Sequence, residues 1–255
     1  MRVITLNING IRSGAKKGFF DWFKQQDADV VCLQETKAQI TDLTDPIFLP
    51  QGYHAFFCDA QKKGYSGVAI YCKQKPEKVH TEIGFDIIDN EGRYVQVDFA
   101  DFSVTSLYLP SGTSGEGRQE IKYQVLDFYL QQLKNIVSSS KQHIICGDIN
   151  IAHKNIDIKN WKGNQKNSGF LPQERAWLDT VFDEVGLVDA FRIKNQEADQ
   201  YSWWSNRGQA FAKNVGWRID YHIVTPGLKD KIQEVSIYKD QRFSDHAPVI
   251  VDYDF

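Results

Sequence analysis

The sequence predicts an α/β fold in which strands end at polar residues. Short apolar runs of strand character recur along the 255-residue chain and stop at Gly, Asn or Asp. Stretches of helical periodicity separate several of them. Between residues 53 and 109, five strand-like runs follow one another through turns rich in Lys, Gly, Asp and Asn, a spacing that suits an antiparallel or mixed sheet.

In order, residues 2–8 read as a strand that runs into Asn7-Ile8-Asn9-Gly10. Residues 16–26 read as a helix with an apolar face of Phe19, Phe20, Trp22 and Phe23. Asp29–Leu33 is a buried strand that delivers Gln34-Glu35-Thr36-Lys37, and 42–49 is a short helix stopped by Pro50. The five runs are 53–58, 67–72, 77–83, 93–98 and 102–109, the last leading through Tyr108 into Pro110-Ser111-Gly112. Residues 116–137 form a long amphipathic helix with Val125, Phe128, Tyr129 and Leu133 on one side.

The strand at 143–149 ends in Gly147-Asp148-Ile149-Asn150, where residues two apart share a side, so Asp148 and Asn150 face one spot. Residues 153–171 read as a long loop with His153, Lys154, Lys159, Lys162 and Lys166 against Asp157. Pro172 opens a helix to Val185. Trp217–Val224 is a strand with Arg218, Asp220 and His222 at every second position, and Ser244-Asp245-His246-Ala247-Pro248 precedes the last strand, 249–253. No repeat or linker interrupts the chain, so a single domain over 1–255 is the simpler reading.

Bulk properties narrow the function. A formal charge of −3 excludes a general polycation, so a polyanionic partner must be held by a local basic face or through a bound metal. Cys32, Cys58, Cys72 and Cys146 contain no CxxC pair, which argues against zinc and for buried, reduced thiols of a cytoplasmic protein. A strand starting at residue 2 leaves no room for a leader, and no apolar stretch approaches membrane-spanning length.

Asn7, Glu35, Asp148, Asn150, Asp220, Asp245 and His246 all stand at or beside strand ends. If the strands pack as two facing sheets, those ends meet at one rim. Carboxylates and amides without paired Cys or His form a hard oxygen site suited to Mg²⁺ or Mn²⁺. Beside a histidine and a tyrosine, such a site suits phosphoester hydrolysis. Singly, each residue has a plainer reading: Glu35 as a solvated acid or cap, His246 as a loop histidine, Tyr108 and the tryptophans as packing aromatics. Asp220 is harder to dismiss, because an acid between Ile219 and Tyr221 needs a partner if buried, and a histidine suits it.

Several runs together resemble the exonuclease III family of apurinic/apyrimidinic (AP) endonucleases, from residue 2 to about 253. They are Asn7-Ile8-Asn9-Gly10, Leu33-Gln34-Glu35-Thr36-Lys37, Tyr108-Leu109-Pro110, Gly147-Asp148-Ile149-Asn150, Gly163-Asn164 with Lys166-Asn167 and Gly169-Phe170, Pro172-Gln173-Glu174-Arg175, Lys213–Tyr221 and Ser244–Pro248. The resemblance implies a DNase I-like four-layer sandwich, two packed mixed sheets flanked by helices. It implies Mg²⁺-dependent cutting 5′ to abasic sites in double-stranded DNA, with 3′→5′ trimming of blocked 3′ ends, by a monomeric, cytoplasmic, bacterial enzyme.

For the site it implies Glu35 as main metal ligand, with Asn7, Asp148, Asn150, Asp245 and His246 in or near the metal shell. Asp148 orients or deprotonates water, Asn150 positions the phosphate, and His246, held by Asp220 beside Tyr108, binds it. Asn164 and Asn167 would touch the backbone, and Phe170, Trp203 and Trp217 would wall a pocket for the flipped sugar, with Ser168 and Gly169 leaving space. Asn9 stands where part of the family has Asp, and Ser111 where relatives carry Asn or Gln. Two rivals stay open: a superfamily phosphatase or nuclease acting on inositol phosphates, lipids or RNA, and a DNA-binding protein that kept the fold and lost catalysis.

Overall fold

The computed structural model describes residues 1–113, 115 and 117–255. Among them, twelve strands form two six-stranded mixed sheets: β1 (Arg2–Asn7), β2 (Val30–Gln34), β3 (His54–Cys58), β4 (Val68–Cys72), β5 (Lys78–His80), β6 (Tyr94–Asp98), β7 (Phe102–Tyr108), β8 (Gln142–Asp148), β9 (Val188–Asp189), β10 (Asp220–Val224), β11 (Ile232–Ile237) and β12 (Val249–Tyr253). The first sheet runs β11-β12-β1-β2-β4-β3 and the second β5-β6-β7-β8-β10-β9.

The sequence explains the layers. In each central strand one set of alternate residues packs between the sheets: Val3, Cys32 and Ile70 from the first meet Val104, Ile144, Cys146 and Val224 from the second. The other set faces helices. Ile4, Leu6, Val31 and Leu33 pack on α2 (Phe19–Gln25), which follows α1 (Ile11–Lys16). Leu107, Ile145, Tyr221 and Ile223 pack under α4 (Arg118–Ser138) and α6 (Pro172–Asp179); α3 (Asp86–Asn90), α5 (Trp161–Asn164) and α7 (Ala190–Lys194) are short. The result is the four-layer DNase I-like sandwich expected.

The details depart in places. The helix expected at 16–26 starts only at Phe19, after the left-handed Gly18, and a separate helix, Ile11–Lys16, precedes it where none was expected, so that Ile11 and Phe19 both reach the core. The helix expected at 42–49 is two 3₁₀ turns, Ile40–Asp42 and Pro46–Phe48, because Pro46 cannot continue a preceding helix and Asp45 caps the second turn instead. The run 77–83 pairs only over β5, and a helix, α3, stands before β6 where none was expected. Glu116, the expected first residue of the long helix, lies outside the described residues. The 153–171 loop carries a 3₁₀ turn, Asn155–Asp157, and α5. The strand expected from Trp217 begins at Asp220, since Trp217 bridges Ile158 and Trp203 instead.

That last departure has a cause. Arg218 is fully buried and binds Asp157 through Nε at 2.7 Å and Asp189 through Nη2 at 2.6 Å. Arg192 Nη2 reaches the same Asp157 oxygen at 2.7 Å. The cluster pins the 153–171 segment against the start of β10. Burial pushes the Asp157 carboxyl up, but the two guanidiniums outweigh it and hold it at about 2, below its ordinary 3.8. Its folded value is depressed, so its stabilisation is full above pH 3.8 and is lost as pH falls through about 2. Asp157→Asn should cost about 3 kcal/mol at neutral pH. Urea unfolding at several pH values should show a shallower acid loss for the variant than for the wild type.

Candidate active site

Strand direction and the two-residue period assemble the site. β1 runs parallel to β2, and β7 parallel to β8, so the C-terminal ends of all four carry polar residues to one rim. β10 and β12 run antiparallel to their neighbours, which brings the start of β10 and the turn before β12 to that rim. Alternation then aims Asn7, Tyr108, Asp148 and Asp220 inward, between the sheets. Asp148 and Asp220 are register partners. Below them Gln34 Nε2 donates to Ser106 Oγ at 2.9 Å, stitching the two sheets together. Gly147 permits the β8 approach, since a Cβ there would lie 1.8 Å from the Leu107 carbonyl oxygen.

Asn7 Nδ2 donates to Glu35 Oε1 and to Asp148 Oδ2, both at 2.8 Å. Asn150 N donates to Asp148 Oδ1 at 2.9 Å, and Asn150 Nδ2 to the Leu109 carbonyl at 2.9 Å. His246 Nδ1 meets Asp220 Oδ2 at 2.9 Å, and Ser202 Oγ donates to the same oxygen at 2.6 Å. Asp245 accepts from Asn9 Nδ2 at 2.8 Å and Trp203 Nε1 at 3.1 Å. Lys37 Nζ closes the ring, 2.6 Å from Glu35 Oε2 and 2.5 Å from Asn9 Oδ1. Glu35, Lys37, Asn9 and Asn150 all hold left-handed backbones, φ 46–57°. Such conformations are costly for these residue types and gather at functional sites.

The charges are unbalanced. Burial and the facing Asp220 push the Asp148 carboxyl up to about 7. Burial works against a charged His246, yet Asp220 holds its imidazolium up to about 10. Burial also disfavours ionised Glu35 and Asp245, but Lys37 with Asn7, and His246 with Asn9 and Trp203, keep both below their ordinary values. Four acids thus face two basic groups, and Asp220 Oδ1 is buried without a hydrogen-bond partner among the described residues. This hard-oxygen, cation-deficient set fits a divalent ion.

Atoms of Asp148, Asp220 and His246 lie within 4.8 Å of one another. However, Asp220 Oδ2 is engaged by His246 Nδ1 and Ser202 Oγ. With Nδ1 turned to Asp220, His246 presents Nε2 to the cluster, 3.9 Å from Asp148 Oδ2. Glu35, Asp148 and Asp245 are the better-suited acids, with Asn7 and Asn150 beside them.

A cavity of about 660 Å³ opens on this cluster, lined also by Tyr108, Ser111, Lys166, Asn167, Gly169, Trp203 and Trp217. Trp203 and Trp217 are half-buried and meet edge to face, ring centroids 6.1 Å apart. Asn164 lines the adjoining hollow with Arg207 and Lys213 rather than this cavity, and receives Asn167 Nδ2 on its Oδ1 at 2.7 Å. Phe170 is fully buried, so the expected wall residue is a support behind Trp217, with Arg175 stacked on its ring at 4.5 Å. Gly169 has φ +91°, and a Cβ there would sit 3.0 Å from Trp217.

Three participants escaped the sequence reading. Lys37 ends the Leu33–Lys37 run, and its link to Glu35 needs the left-handed turn. Arg93 is buried and stacks on the Tyr108 ring at 4.5 Å while donating to the Tyr108 carbonyl. Lys122 is buried in α4 and donates to the Asn150 carbonyl at 2.8 Å. A lysine on the apolar face of an amphipathic helix was the available signal for the last.

The chain matches the model of the Endonuclease/Exonuclease/phosphatase family over residues 4–246. It is 41% identical to an exodeoxyribonuclease of Bacillus subtilis over 98% of both chains. It is 35% identical to the DNA repair nuclease APEX1 of Danio rerio over 98% of this chain and 81% of that one. The structure of an AP endonuclease from Archaeoglobus fulgidus superposes with a TM-score of 0.89, at 27% identity and covering both chains fully.

Glu35→Gln removes one acid and frees Lys37. Manganese titration followed by electron paramagnetic resonance should show cation binding weakened about 10-fold or more in the variant. Equal affinity in both proteins would exclude Glu35 as a ligand.

Proposed function

The chain belongs to the endonuclease/exonuclease/phosphatase family, and from that premise we propose that this metal-dependent DNA-repair nuclease, one catalytic domain acting as a cytoplasmic monomer, hydrolyses the phosphodiester 5′ to abasic sites in duplex DNA. Trimming of blocked 3′ ends accompanies that activity, in keeping with the Bacillus relative's name, exodeoxyribonuclease. The observation that carries the reading is the convergence of Glu35, Asp148, Asp220, Asp245 and His246 beside a cavity walled by two tryptophans. A phosphatase of inositol phosphates or lipids would have little use for that aromatic wall, and a binding protein without catalysis would not need every acid in place. Among the described residues no helix is long and apolar enough to cross a membrane.

Glu35 and Asp245, with Asp148 and the amides of Asn7 and Asn150, would hold the cation, Mg²⁺ with Mn²⁺ as substitute. The chemistry such an ion would supply when bound is neutralisation of phosphate charge and stabilisation of the leaving oxygen. Asp148, fixed by Asn7 and Asn150 N, orients the attacking water and takes its proton. The His246 imidazolium, kept charged by Asp220, donates to a non-bridging oxygen whose charge grows in the pentavalent state. Tyr108, braced by Arg93, donates from the other side. Burial first, and the charge of Glu35, hold its phenol well above its ordinary value, so it serves as a donor and not a base. Trp203 and Trp217 receive the abasic sugar, which is cheap to extrude because its base stacking is already lost. Asn164, Asn167 and the nearby Arg207 and Lys213 track the backbone.

The test compares an abasic-analogue duplex with an intact blunt duplex. The wild type should incise the lesion with Mg²⁺ and stop on adding EDTA, and Asp148→Asn should lower kcat about 10³-fold. A wild type inert on both duplexes with every divalent ion would end the proposal. Gly169→Val, which crowds Trp217, should lower kcat/KM on the abasic duplex about 10-fold; unchanged kinetics would remove Gly169 from the pocket.

A further inference from the structure

Glu174 opens α6 three residues after Leu171, where an acid commonly accepts the backbone N–H at the helix entrance. That cap needs one bond, Leu171 N to Glu174 Oε2 at 3.0 Å. The remaining contacts exceed it. Gly169 N donates to the same oxygen at 2.7 Å. Lys122 Nζ, at 2.6 Å, Gln119 Nε2, at 3.1 Å, and Ser168 Oγ, at 3.3 Å, donate to Oε1. The side chain is fully buried and its acceptor sites are filled.

These donors belong to two parts of the site. Ser168 and Gly169 form the turn against Trp217 that bounds the cavity. Lys122 carries the contact on to the Asn150 carbonyl, at 2.8 Å, and a Cβ on Gly169 would lie 3.2 Å from that carbonyl. Asn150, at φ 57°, holds a left-handed backbone that persists in a non-glycine residue only where its surroundings over-determine it, while Gly169, at φ 91°, supplies a turn that other residues would adopt at a cost. Glu174 is one anchor common to both.

We infer that Glu174 is a positioning residue for lesion selectivity: its carboxylate fixes the Ser168–Gly169 wall of the cavity in register with Asn150, and so sets the preference for abasic over intact DNA. This rests on the function proposed above. A glutamine at 174 isolates the effect. Its single oxygen can stay on Lys122 and Gln119, but its NH₂ then faces the Gly169 and Leu171 donors, and the turn loosens while Asn150 stays tied. Losing Lys122 does the reverse.

The experiment measures kcat and KM on abasic-analogue and intact duplexes for the wild type, Glu174→Gln, Lys122→Met and the double variant, with near-ultraviolet circular dichroism as the fold control. The double variant leaves no buried ammonium unpaired and decides the matter if Glu174→Gln fails to fold. Glu174→Gln and the double variant should lower the ratio of abasic to intact kcat/KM about 10-fold, mainly through KM on the abasic duplex. Lys122→Met should slow both substrates together and keep the ratio. A ratio unchanged in the folded Glu174→Gln or double variant overturns the inference, as does failure of both to fold, which would make Glu174 purely structural. A wild type without preference for the abasic duplex would instead remove the underlying reading, and the inference with it.

Discussion

Asp148 and Asp220 face each other on adjacent antiparallel strands, and both are shut away from water. Two like charges in a weakly screening interior repel strongly, and ionised acids there are costly unless compensated. Much of the rim answers that problem. His246 sits beside both acids, 2.9 Å from Asp220 and 3.9 Å from Asp148 through its other nitrogen. Asn7 spans Asp148 and Glu35 with one amide. Lys37 folds back onto Glu35. Positive charge still falls short, and that shortage makes the rim receptive both to a divalent ion and to an electron-rich phosphate held by it.

The same acids could be brought together loosely in a flexible loop, with little catalytic value. Here their backbones are strained and cross-braced. Gly10 N donates to the Glu35 carbonyl at 2.8 Å, Thr36 N to Gly67 at 3.0 Å and Lys37 N to Ser66 at 2.8 Å, so the left-handed turn at Glu35 is held from two neighbouring strands' loops. Each left-handed residue costs about 1 kcal/mol or more, offset by the packing of the sheets beneath. Donors fixed before substrate arrives need no reorganisation during the reaction, which is where electrostatic catalysis gains most.

Around this centre, buried ion pairs act as fasteners for segments that lack long regular structure. Asp157 with Arg218 and Arg192 fixes the start of the 153–171 segment, and Glu174 with Lys122 fixes its end. Such pairs add little net stability over apolar packing, but a carboxylate with several donors around it accepts few alternative geometries. That precision matters where the segment lines the cavity beside the acid cluster.

The layers were legible because apolar alternation is local. Period two in β1, β8 and β10 put Asn7, Asp148 and Asp220 on one face whatever their partners, and motifs at strand ends supplied the family resemblance. The break at Pro46 is local, set by the proline and its Asp45 cap, whereas the burial of Phe170 and the role of Lys122 were not legible, since each depends on what packs against it. The amino-acid order by itself determined which residues reach the rim. Tertiary structure decided what they become there. Asn7 and Asp148 touch from 141 positions apart, and whether an acid is charged, paired or strained is set by neighbours that only folding brings within a few ångströms.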